Sequence, residues 1–123
     1  MVIKLCWAVL AWIHVIPALA LLKPALLTTL YGAQTCSVTY MLLHHRAALF
    51  IGVFIAYIYA IFQPGSRQLA AVMVAVSMVS FLVLFVLGGN PDKLRPVAMV
   101  DLIGIPFLAI AAWNAFHVAH AGK

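Results

Sequence analysis

Four long apolar stretches divide the chain, at residues 5–22, 38–62, 69–87 and 97–118. A helix rising 1.5 Å per residue needs about 20 residues to cross ~30 Å of hydrocarbon, and each stretch approaches or exceeds that length. None alternates apolar and polar positions with the two-residue period of a strand. The pattern therefore predicts an all-α integral membrane protein, a single domain over residues 1–123 with four transmembrane helices in a bundle. An even number of crossings puts both termini on one side. Pro64-Gly65-Ser66 predicts a tight turn between the second and third spans, with Ser66 as N-cap. Gly88-Gly89-Asn90-Pro91 predicts the next turn, with Asp92 capping the fourth span.

Residues 23–37 break the pattern, being too long for a tight turn and too apolar for a free loop. The segment from Pro24 to Gly32 predicts a short helix lying in the membrane interface between the first two spans, closed by Gly32. It is expected to act as a lid or re-entrant piece over the bundle, or as a plain connecting helix with no ligand role. The N-terminal run imitates a signal peptide, with Lys4, an apolar core and Ala18-Leu19-Ala20. Since it also carries His14 and Pro17, it is expected to remain as a signal anchor and form the first helix.

Composition narrows the class. Hydrophobic residues make up 67% of the chain and charged residues 7%, and mean hydropathy is +1.19. A soluble domain is about half apolar and a quarter charged. The net charge of +5 is scattered over turns and ends, with no basic stripe suited to nucleic acid. Cations flanking the lipid headgroups account for it, and the two sides carry too similar a count to fix an orientation. Cys6 and Cys36 are expected at opposite membrane faces, which disfavours a disulfide, and no Cys-x-x-Cys motif is present.

The chemistry-bearing residues are few. Asp92 and Asp101 are the two acids of the chain, and Asp101 lies inside an apolar run. A charged group near the centre of a spanning helix costs at least ~2.5–3.5 kcal/mol, so such a group pairs or lines a wet cavity. His44-His45-Arg46 stands at the mouth of the second span. Asp101 follows Pro96 by five residues, about 8 Å along its helix, and His14 precedes Lys23 by nine, about 13 Å below the same face. His14, His45, Arg46 and Asp101 are thus the candidate catalytic residues. Tyr31, Tyr40, Tyr57, Ser80 and Asn90 are candidate ligand contacts. Arg46 and Asp101 are expected to interact directly or through one polar group, and Arg46, Phe50, Val53 and Tyr57 share a helical stripe. Trp12 and Tyr57 are expected to face inward. Duller roles exist for each: Arg46 snorkelling to headgroups, an Arg46–Asp101 pair fixing helix register, His14 bonded to a carbonyl, Ser77 and Ser80 bonding back to their own helix, and His117 and His120 exposed at the interface.

A histidine and a carboxylate in a poorly solvated site suit proton transfer, and an arginine beside them can hold a carbonyl or enolate oxygen. Metal hydrolysis is disfavoured by the absence of a His-Glu-x-x-His motif, and no metal or other cofactor is expected. Haem between His14 and His45 remains open on depth alone.

Pro24, then Leu30-Tyr31-Gly32, then His45-Arg46-Ala47, then Pro64 and Arg67 resemble small bacterial four-helix membrane proteins of the DoxX-like kind, over most of the chain. The resemblance implies the four-helix fold and a bacterial inner membrane, and it carries no catalytic assignment. Such families include accessory subunits. The leading expectation is a pocket that binds a small lipophilic molecule, with cofactor-free acid–base conversion such as isomerisation as its most concrete form. Alternatives are a non-enzymatic accessory subunit of a larger membrane complex, or a small-molecule or proton transporter. The bilayer is the expected partner, with a homo-oligomer as a further option.

Overall fold

The computed structural model describes residues 1–121, with side-chain surroundings through residue 117; the His120 side chain and Lys123 lie outside the described residues. Five helices follow one another: α1 (Val2–Leu19), α2 (Ala25–Tyr31), α3 (Val38–Phe62), α4 (Arg67–Leu87) and α5 (Arg95–Ala121). No strand occurs among the described residues. All but α2 are long and apolar enough to cross a membrane. The chain is accordingly an integral membrane protein by length and composition of its helices.

The four long helices form a ring in which α1 lies between α3 and α5, and α4 lies beside α5. The ring closes least tightly between α3 and α4. What marks the inner faces is side-chain size. Ala11, Ala60, Ala70, Ala71 and Ala111 are buried, which lets the backbones approach around Trp7, Leu10, Tyr57, Val74 and Met78. Small residues serve helix contact in lipid because packing, rather than escape from water, holds helices together there. Gly104 takes this furthest: a Cβ on it would stand 2.5 Å from Met78 Cε and 3.1 Å from Ile13 Cδ1. It lets α5 close on α4 and α1 one turn below Asp101.

Helix ends follow local chemistry. Pro17 and Pro106 lie inside α1 and α5. Each lacks an N–H, so the carbonyls of Ile13 and Leu102 have no helical donor four residues on. After Pro17, α1 tightens into three-residue turns through Leu22, and it ends at Leu19, three residues before the expected limit. Ser37 caps α3, its Oγ accepting from Tyr40 N at 3.0 Å and donating to Gln34 O at 2.7 Å. Ser66, expected to cap α4, instead donates to Gln63 O at 2.8 Å and makes no cap bond to the helix it precedes. The α3–α4 turn is locked by Arg67, whose Nε donates to Ala60 O at 2.9 Å. Asp92 also makes no cap bond; it lies in a single 3-10 turn and pairs with Arg95 at 3.1 Å on the exposed surface.

The short α2 docks on one end of the bundle. Gly32 closes it in the left-handed conformation, at φ 64°, and its N–H bonds Thr28 O. Leu27 is buried with Ala20 and Ala47 in a second, smaller core. The Lys93 stem crosses Gly32 at a distance that leaves almost no space for a Cβ. One short helix therefore ties the ends of α1 and α3 to the α4–α5 connection, and it covers the half of the bundle that holds Asp101.

Candidate functional site

Beneath α2 lies a cavity of about 150 Å³, lined by groups from all five helices. Its polar members are His14 from α1, Tyr31 from α2, Arg46 from α3, Ser77 from α4 and Asp101 from α5. Apolar side chains, among them Phe50, Phe81 and Val97, make up most of the wall. A cavity of that size accommodates a molecule about as large as benzene.

His14 is 2% exposed and oriented from one side. Its Nδ1 lies 3.0 Å from Leu10 O and 2.8 Å from the Tyr57 hydroxyl. A carbonyl only accepts and a hydroxyl can donate or accept, so Nδ1 meets Leu10 O as a protonated nitrogen and Tyr57 as either donor or acceptor. Nε2 makes no hydrogen bond within the protein among the described residues. Tyr57, fully buried, also packs its ring 5.1 Å from the imidazole, and Phe50 lies at 5.8 Å. The duller and sharper readings of His14 are thus both present in one residue: a carbonyl bond holds one nitrogen and the other is unused.

Asp101 is 9% exposed. Its carboxyl oxygens make no hydrogen bond within the protein among the described residues, yet they are not sealed in. The one described side-chain polar atom that is both buried and unpartnered is Trp7 Nε1, in the core beside Tyr57. Of the interaction expected between Arg46 and Asp101, direct or through one polar group, the direct contact is not formed: the one ion pair among the described residues is Asp92–Arg95. Arg46 stacks instead over two rings, its guanidinium carbon 5.2 Å from the Phe50 centroid and 5.7 Å from that of Phe81. A guanidinium over aromatic faces keeps its charge in an apolar wall without a carboxylate. Both charges therefore face one cavity with capacity for a further partner. Burial raises the Tyr31 hydroxyl pKa above its ordinary value; Arg46 offsets part of this and Asp101 adds to it.

The structure brings together four of the residues singled out from sequence, His14, Tyr31, Arg46 and Asp101, with Tyr57 behind His14. It places the others elsewhere. His45 and Asn90 are exposed, Asn90 at a positive φ of 55° in its turn. Tyr40 packs in the smaller core and near His44. Ser80 is exposed and donates to Ser77 O at 3.3 Å. Trp12, expected inward, is 76% exposed, and Trp7 occupies the core instead. Since His45 does not line the cavity that holds His14, the geometry brings no second imidazole to that cavity for haem. No cluster of three or more His, Cys, Asp or Glu side chains suited to a metal occurs among the described residues. His44 has a structural role: its Nε2 donates to Leu21 O at 3.1 Å, satisfying the end of α1.

A second space adjoins the first. It is a groove of about 570 Å³ between residues 46–53 of α3 and 72–84 of α4, open along its side. Arg46, Phe50, Ser77 and Phe81 line both spaces. Sequence reasoning reached Phe50 through its stripe with Arg46 and Tyr57. It missed Phe81, whose four-residue spacing from Ser77 was the available signal.

The chain matches no protein-family model, no curated protein and no solved structure. The site thus stands on its own geometry.

Proposed function

We propose that the protein binds a small lipophilic molecule in the cavity beneath α2, and that its chemistry there is acid–base. The observation that carries this reading is one partly open cavity holding a carboxyl and a guanidinium that do not pair with each other and an imidazole nitrogen with no protein partner. Ionisable groups inside membrane helices are costly and mark functional sites by default.

The most concrete form is a proton shift such as isomerisation. In a β,γ-unsaturated carbonyl compound, the C–H bond between the carbonyl and the double bond breaks and its proton passes to His14 Nε2. The electron pair moves onto the carbonyl oxygen, which Arg46 stabilises. The proton then returns to the γ carbon as the double bond moves to the α,β position, so nothing is oxidised or reduced. Asp101 supports the imidazolium while it exists, and Tyr57 and Leu10 O keep the ring oriented. The DoxX-like resemblance supports the bacterial inner membrane as the setting, with the bilayer delivering the ligand.

Native mass spectrometry of the purified protein tests this reading. The wild type is expected to carry an organic molecule that His14→Gln and Asp101→Asn release while both variants keep their helix content and cooperative melting. Equal retention in all three would move the ligand out of this cavity and favour the accessory-subunit reading.

A further inference from the structure

We infer that the ligand is a single-chain amphiphile, with a neutral, ring-sized hydroxyl-bearing head in the cavity beneath α2 and a linear apolar tail lying in the groove between α3 and α4. This rests on the cavity being a binding site, not on the carbonyl proton shift, and specifies what fills it. Three observations lead to it.

The first is size. The inner cavity, about 150 Å³, takes one small ring, and the adjoining groove is several times larger at about 570 Å³. The groove runs along residues 72–84 of α4, about 18 Å at the helical rise. That is the shape of a chain rather than of a second ring system. The second is charge. Asp101 opposes a carboxylate or phosphate head, and Arg46 opposes an ammonium head. A hydroxyl that donates to Asp101 and accepts from Arg46 satisfies both. The third is continuity. Arg46, Phe50, Ser77 and Phe81 belong to both spaces, and Arg46 lies over the two rings. These four residues form a neck through which a head and its tail remain joined. The groove walls beyond the neck are apolar but for Ser80, as a tail requires.

Tail length alone is a poor test, because lipid tails are as apolar as the groove and leaving them gains little. Position is the better readout. Two 4-dodecylphenol probes, one with a photoreactive diazirine on the ring and one at the tail end, are applied to the full chain in lipid nanodiscs. A diazirine-bearing dodecane serves as the headless control. The ring probe is expected to label residues lining the inner cavity, such as Val97 and Val100. The tail probe is expected to label residues 49–53 and 72–84, both signals falling with excess unlabelled 4-dodecylphenol. The dodecane should mark the outer faces of all four long helices without competition. V76W, which fills the groove, should shift tail labelling away from α4 and leave ring labelling in place. A tail probe distributed like dodecane, with the ring still in the cavity, would overturn the amphiphile and leave the cavity reading standing. A ring probe absent from the cavity would overturn both. Cross-links joining the grooves of two copies would assign the groove to a dimer and overturn the tail.

Discussion

At the scale of the residue, His14 is fixed on one edge and free on the other, and the two edges can be changed separately. Tyr57→Phe removes the hydroxyl beside Nδ1 and keeps the ring that packs against the imidazole. Loss of one such bond costs about 1 kcal/mol, so a modest fall in detergent melting temperature is expected. A larger proportional loss of ligand retention should accompany it, because Leu10 O alone orients the ring less well. Unchanged retention would show that the hydroxyl only stabilises the core. Arg46 and Asp101 share a cavity without touching, and a double-mutant cycle reads that directly. Arg46→Gln and Asp101→Asn are expected to combine almost additively in stability, with coupling below about 1 kcal/mol. A directly paired buried couple would lose roughly 3–5 kcal/mol on removal of either partner, and coupling of that size would place the two in contact. These residues were legible in the sequence because an ionisable group in an apolar run stands out whatever its neighbours. The contacts of Arg46 were not. Two aromatic rings offer a cation a partner that no charge count registers.

At the scale of the element, Gly32 marked the end of α2 in the sequence, whereas the Ser37 cap of α3 went unremarked there. Ser37 and Gly32 carry side-chain and backbone requirements that hold wherever the helix lies. Ser37→Ala removes the bond to Tyr40 N and is expected to cost about 1 kcal/mol. Faster amide exchange at Thr39–Met41 than in the middle of α3 would locate the loss at the cap. If exchange is unchanged there, packing of α2 on α3 holds the end without it. Ser66 and Asp92 had the composition of caps but sit in 3-10 turns that join two helices, where Ser66 turns back to Gln63 O and Asp92 is taken up by the Arg95 side chain. Which face of each long helix turns inward was the least legible feature. In lipid both faces are apolar, so no amphipathic contrast distinguishes Trp12, 76% exposed, from Trp7, fully buried. The alanines at Ala11, Ala70 and Ala71 hold that information through their size.

At the scale of the whole molecule, the ring of helices places Cys36 beyond α1 and before α3, exposed, and Cys6 in the core near the other end of α1. A membrane-impermeant maleimide should therefore label Cys36 in oriented vesicles from the side opposite the termini, with Cys6 protected until the bundle melts. Labelling of both from one side would contradict the fold. The looser seam between α3 and α4 has a separate consequence. A molecule reaching the neck along that seam arrives from the hydrocarbon, so the quantity that governs occupancy is its mole fraction in the bilayer, not its concentration in buffer. Adding lipid or detergent at constant protein and ligand would then empty the site by two-dimensional dilution.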